Sequence, residues 1–207
     1  MKTIKELNDA VLLGKDGLSD KSPRLAARAV LRRRDGKYAL MYIEKFDLYC
    51  LPGGGVEKGE KLLDALKREI NEETGCSCDK IRALGCVSEN RACHDFTQKS
   101  FYFAVKTEKP IEKNCLTPKE KAVNIKLMWV SFSALKKRII SPVHDTEQKI
   151  YIQARDSAAI EEYEKWQERR GNRFDSKNKP NSNTCTPRLG GGFLFFGRRK
   201  CNIFVNN

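Results

Sequence analysis

Glu69, Glu72 and Glu73 stand at i, i+3 and i+4 of a segment with helical apolar spacing. That spacing puts three carboxylates on one helix face, where unpaired charges repel and cost helix stability. A cation relieves the repulsion. An all-oxygen ligand set suits a hard dication such as Mg2+ or Mn2+, and such ions serve phosphate chemistry. Just upstream, Gly53, Gly54, Gly55 and Gly59 form a loop whose backbone can approach a phosphate or a metal closely.

The elements that must position these groups can be read around them. Lys61 to Thr74 is predicted helical, with Leu62, Leu63, Leu66 and Ile70 as its core face and Gly75 as its stop. Arg24 to Arg33 is predicted to be a strand, with Leu25, Ala27, Ala29 and Leu31 facing one way. Asp35-Gly36 turns it back into Tyr38 to Ile43 as a hairpin. Phe46 to Leu51, Ile81 to Glu89, Phe96 to Lys106 and Ile125 to Val130 complete the predicted strands. Ser131 or Ser133 caps a helix to about Ile140, and Asp145 to Arg170 is a long amphipathic helix. Hairpin, glycine loop, helix, strands and late helix imply an α/β/α sandwich around a mixed sheet.

The chain has 207 residues and a formal net charge of +13, from 40 basic and 27 acidic residues. One domain with extensions is expected. The reading is a leader over 1–22 with a short helix over Ile4 to Leu12, a catalytic domain over 23–141, a packed helix over 142–170, and a disordered basic tail over 171–207. That tail carries Arg173, Lys177, Lys179, Arg188, Arg198, Arg199 and Lys200 against Asp175. The positive excess favours phosphorylated partners and admits loose RNA binding. Between Met1 and Pro23 there is neither the apolar core nor the cleavage site of a secretory signal, and no apolar run approaches a membrane span, so a cytoplasmic protein without membrane contact is expected. In that setting the eight cysteines read as reduced thiols. A zinc site from Cys76, Cys78, Cys93 and His94 is the sharper but less favoured alternative.

The full pattern runs Gly54, five residues, Glu60, seven residues, then Arg68-Glu69-Ile70, with Glu72, Glu73, Gly75 and Cys76. It resembles the Nudix box at every fixed position, and the resemblance covers about Arg24 to Ile140. It implies the same sandwich fold and a Mg2+- or Mn2+-dependent hydrolase of pyrophosphate linkages in nucleoside diphosphate derivatives. By the same resemblance Glu69 and Glu73 would be direct metal ligands and Glu72 a ligand directly or through water. One of them would take the proton of the attacking water. Arg68 would orient a catalytic glutamate, and the Gly54 carbonyl would complete the metal shell. Glu60 and Gly55 support the loop. Later-loop glutamates serve as extra ligand or base in such proteins, and Glu120 and Glu112 are the candidates here. Phe46 and Tyr49 are candidate platforms for a nucleotide base, although core packing is the commoner fate of aromatics. Of the residues that mark known substrate classes, the ADP-ribose proline is replaced by Arg91, and the dinucleoside-polyphosphate tyrosine is absent at Ala92 and Cys93. What remains resembles the house-cleaning type acting on (deoxy)nucleoside triphosphates, oxidised ones included. RNA 5′-end pyrophosphate removal and non-catalytic nucleotide sensing are the alternatives, and a homo-oligomer stays open.

Overall fold

A computed structural model of the chain describes residues 1–108 and 124–177, with side chains as far as residue 170. Eight strands form one mixed sheet: β1 (Thr3–Asn8), β2 (Arg24–Arg33), β3 (Tyr38–Ile43), β4 (Leu48–Cys50), β5 (Gly53–Gly55), β6 (Lys80–Arg91), β7 (Phe96–Thr107) and β8 (Ile125–Val130). The path runs β1-β6-β7-β2-β3-β4, with β5 paired to β2 and β8 to β3. β1 lies parallel to β6 and β2 parallel to β7, while the other pairs are antiparallel.

Among the described residues four α-helices accompany the sheet: α1 (Asp9–Leu13), α2 (Leu62–Thr74), α3 (Phe132–Ile140) and α4 (Glu147–Lys177). Strand alternation sends successive side chains to opposite faces. From β2 and β7, Ala27, Ala29, Leu31, Phe103 and Val105 pack with Ala65, Leu66 and Ile70 of α2. Val30, Tyr102 and Ala104 point the other way, onto Leu135 and Ile139 of α3 and Tyr151, Ala159, Ile160 and Tyr163 of α4. The result is the expected α/β/α sandwich, with α2 on one face and α3 and α4 on the other.

Polar groups tie α4 to the sheet. Asp156 is fully buried and accepts from the Leu51 amide at 2.8 Å and the Tyr102 hydroxyl at 2.5 Å. Arg155 donates to the same carboxylate at 3.0 Å and pairs with Glu89 at 3.5 Å. The late helix therefore fixes the residue two positions before the glycine loop.

Several expectations are corrected. The helix expected over Ile4 to Leu12 is instead β1 followed by α1, because Thr3–Asn8 finds an open edge of β6 to pair with. Leu63 is 46% exposed and Leu25 41% exposed; Ala65 takes the place in the α2 core that Leu63 was assigned. The helix expected to end at Arg170 continues to Lys177. Ser131, not Ser133, caps α3, accepting from the Ala134 amide at 3.2 Å. The rest of the tail and Glu112 and Glu120 lie outside the described residues.

Candidate active site

The glycine loop is pinned by sterics as well as hydrogen bonds. Gly53 has φ +127°, and a Cβ there would fall 2.2 Å from the Ala27 carbonyl oxygen of β2. No side chain fits that approach, so β5 can lie flat against β2 only with glycine here. The buried Gly53 amide donates to Glu73 Oε2 at 2.7 Å, and the Gly53 carbonyl accepts from Arg28 Nη1 at 2.7 Å. A Cβ on Gly54 would meet Glu69 Oε2 at 2.4 Å, so the Glu69 carboxylate rests against bare main chain.

Arg68 is the hub of the box. Its Nε and Nη2 donate to the two Glu60 carboxylate oxygens at 2.9 and 3.0 Å, a fork that matches the guanidinium plane. Nη2 also reaches the Gly55 carbonyl at 3.0 Å. Nη1 donates to Glu69 Oε1 at 2.9 Å and Glu72 Oε2 at 3.3 Å. Glu60 in turn accepts from the Glu57 amide at 2.9 Å. The Arg68 fork, joined by that amide, holds the Glu60 carboxyl below the usual carboxylate range. The Glu60 carboxylate pushes the Arg68 pKa up against the opposing effect of burial, so this cation stays charged.

Glu69, Glu72 and Glu73 line one cleft of about 530 Å³ together with Arg24, Gly53 to Gly55 and Arg68. Glu69 and Glu73 are buried and Glu72 half-buried. All donors are oxygens, the chemistry a hard dication takes, and the cleft leaves room beside them. Among the described residues, however, no three acidic, histidine or cysteine side chains are gathered as a finished metal cage. Arg68 stands between Glu69 and Glu72. The residues fit a dication in chemistry and position, with Glu69 and Glu72 held by Arg68 and Glu73 by the Gly53 amide.

A second cavity of about 280 Å³ opens beside the first, sharing Arg24, Gly53 and Glu73. Its cationic lining is Arg24, Arg28, Arg91 and Arg155, and its apolar lining includes Met41, Ile43, Phe96, Ile125 and Ile152. Arg155 and Arg91 are answered by Glu89, with Arg91 also lying over the Phe96 and Tyr151 rings. Arg24 and Arg28 donate to neutral oxygens: Gln98 Oε1 at 3.1 Å and the Gly53 carbonyl. Burial first, and the neighbouring Arg28 charge second, pull the Arg24 pKa below its ordinary value. Buried Nε atoms of Arg28 and Arg91 have no hydrogen-bond partner among the described residues. Such a pocket favours an anion at its mouth and an apolar ring within.

The sequence reading missed these arginines. Arg24 and Arg28, four apart on a strand, share a face, and that spacing was the available signal. Phe46 and Tyr49, the candidate base platforms, are not among the residues lining either cavity. Phe46 is 42% exposed, and Tyr49 stacks on Tyr42 with ring centroids 4.7 Å apart. His94 pairs with Glu147 at 2.8 Å. Cys50, Cys76, Cys78, Cys86 and Cys93 are free thiols, and the zinc alternative finds no cage among the described residues.

Residues 22–152 match the family model of the NUDIX domain, more than half of the chain. A putative nudix hydrolase 1 of Caenorhabditis elegans is 35% identical over 72 residues, covering 32% of this chain and 20% of that protein. An RNA pyrophosphohydrolase of Bartonella quintana is 42% identical over 69 residues, covering 32% of this chain and 37% of that protein. The chain thus spans well under half the length of these relatives. A NUDIX hydrolase from Nitrosomonas europaea superimposes with a TM-score of 0.52 over 69% of this chain and 89% of that one, at 23% identity, which is likeness of fold. The chain belongs to the NUDIX family.

Proposed function

We propose that this protein hydrolyses the pyrophosphate linkage of a nucleoside diphosphate derivative, with (deoxy)nucleoside triphosphates, oxidised ones included, as the first class to test. The observation that carries the reading is the junction of the two cavities. A carboxylate cleft suited to a dication meets an arginine-mouthed apolar pocket at Arg24, Gly53 and Glu73.

NUDIX proteins generally use a divalent metal such as Mg2+. Held by Glu69 and Glu73, with Glu72 and the Gly54 carbonyl completing the set, it would neutralise phosphate oxygens and acidify a bound water. Arg24 and Arg28 would hold the phosphates at the junction. The apolar pocket would take the base or sugar. Arg68 keeps Glu69 and Glu72 near one another and braces the loop through Glu60 and the Gly55 carbonyl. A carboxylate of this set, Glu72 being the most open, would accept the proton of the attacking water. Glu120 remains a candidate for an extra ligand or base.

A panel of nucleotides and diphosphate conjugates, incubated with Mg2+ or Mn2+ and read by product mass, tests this directly. Release of monophosphate and pyrophosphate from a triphosphate is the expected result. Nucleotide-dependent thermal stabilisation without any phosphate product would instead fit a sensor.

A second reading, pyrophosphate removal from RNA 5′ ends, is favoured by the +13 charge and by similarity to proteins named for that activity. Triphosphorylated RNA belongs in the same panel.

A further inference from the structure

Away from the carboxylate cleft, a groove of about 360 Å³ lies where the start of β6 and the end of β7 meet Tyr163, Trp166 and Arg170 of α4. Lys80, Arg82, Lys106 and Arg170 line it, and among the described residues no acidic side chain does. Its aromatic wall is Tyr163 and Trp166, tilted rings 5.6 Å apart, with the Arg170 guanidinium 4.9 Å over Trp166. All four cations are exposed, and Trp166 is half-buried. Lys80 is paired with Glu108, but only at 3.6 Å and in solvent.

The groove does not end there. Lys106 also lines an adjoining hollow of about 230 Å³ with Arg32, Arg33, Arg34, Thr107 and Glu108, so four cations there face one lining carboxylate, and Arg33 is paired with Asp35. In the parallel β2–β7 ladder, Arg32 is the direct partner of Lys106, while Arg24 at the other end sits at the carboxylate cleft. Eight residues of strand at about 3.3 Å each put the two ends roughly 26 Å apart. No mononucleotide in the cleft spans that length.

We propose that this tract is a binding surface for single-stranded nucleic acid, separate from the carboxylate cleft. A base stacks against Trp166 while the flanking phosphates run along Lys80, Arg82, Lys106 and Arg170 towards Arg32–Arg34. A cationic groove beside an aromatic face is what sequence-tolerant strand binding needs. The space beside Trp166 suits one unpaired ring, whereas a duplex keeps its bases stacked and is read by shape. An acidic protein segment would use the cations and leave Trp166 idle. The inference does not depend on the cleavage reading, because it concerns a different surface.

The test uses the full chain and an unstructured, labelled RNA of about twelve nucleotides, within the length such sites engage. Affinity is measured by anisotropy across a salt series. For wild type, log affinity falls linearly with log salt. Arg82→Glu and Lys106→Glu each remove about 0.7 from that slope, as expected for one lost phosphate contact on a single strand, and together weaken binding tenfold or more. Trp166→Ala weakens binding about tenfold with little change of slope. Should that variant unfold, Trp166→Leu, which keeps an apolar side chain but offers no ring to stack on, repeats the test. Melting temperatures within a few degrees of wild type certify the folds. Wild-type affinity in the Arg82→Glu/Lys106→Glu double variant overturns the proposal. So does competition by polyglutamate equal to that by poly(U), with Trp166→Ala silent, because that outcome marks an acidic-polymer surface. Strong RNA binding with no phosphate release from any nucleotide would remove the catalytic reading and leave this one standing.

Discussion

The amide of Gly53 donates to the Glu73 carboxylate across 2.7 Å, so the loop and the helix of the box are joined at the junction of the two cavities. Glutamine at 73 keeps an oxygen for that amide and loses the charge. Glu73→Gln should therefore fold with nearly the wild-type melting temperature and lose at least about 100-fold in kcat. Glu73→Ala strands the buried Gly53 amide and should cost a further 1–3 kcal/mol or so of stability. Thermal melts beside initial rates separate the two effects. A fully active Glu73→Gln enzyme removes Glu73 from the ligand set.

Arg68 fills three roles that a lysine cannot combine: a fork on Glu60, a donor to the Gly55 carbonyl, and a bridge to Glu69 and Glu72. Lysine is a point charge without a plane. Arg68→Lys should lower kcat about 10- to 100-fold, in the range for groups that orient ligands. KM for a triphosphate should move little, because Arg68 is not assigned to the phosphates. Stability should fall by about 1 kcal/mol or less, since Arg68 is 27% exposed and solvent screens its pairs. A large KM effect with intact kcat would reassign Arg68 to substrate binding.

Arg24 and Arg28 are two cations on one strand face that donate to the neutral oxygens of Gln98 and the Gly53 main chain. A phosphate that bridges them would gain charge-assisted bonds worth about 1.5–3 kcal/mol each. Alanine at either position should raise KM about tenfold or more and leave kcat within a few fold. Weaker dependence of KM on salt should accompany the change. Steady-state rates at two salt concentrations give both numbers. An unchanged KM in both variants would separate the arginine pocket from the substrate.

The box was legible because its residues are local. Glu60, Arg68, Glu69, Glu72 and Glu73 fall within one loop and one helix, and helical periodicity alone places them together. The strand of Ile125–Val130 was legible for a similar reason, being a short apolar run with clear ends. The arginine pocket was not, because Arg24, Arg28, Arg91 and Arg155 come from two strands and a late helix whose meeting depends on topology. The first strand was missed because Thr3–Asn8 alternates weakly, and only the open edge of β6 makes it extended. Phe46 and Tyr49 sit near the loop in sequence, yet strand pairing with β3 carries Tyr49 onto Tyr42 instead of into the cleft.

That N-terminal strand also carries a pH signature. Asp9 follows it directly, has no solvent exposure, and accepts from the Cys93 amide at 2.9 Å and the Tyr151 hydroxyl at 2.7 Å. Burial alone would raise the Asp9 pKa, but the Cys93 and Tyr151 hydrogen bonds outweigh it and hold the carboxyl below its ordinary value. A depressed folded pKa stabilises above the unfolded value, near about pH 4, and that contribution is lost as pH falls through the folded value. Asp9→Asn keeps the size but sets an amide against one of two donors. It should melt several degrees below wild type at pH 7, and the gap should narrow steadily below about pH 4 as the wild-type carboxyl protonates. Melting curves of both proteins from pH 7 to 3 check this. A gap that stays constant over the range would mean that the Asp9 charge does not contribute to holding the N-terminal strand and α4 together.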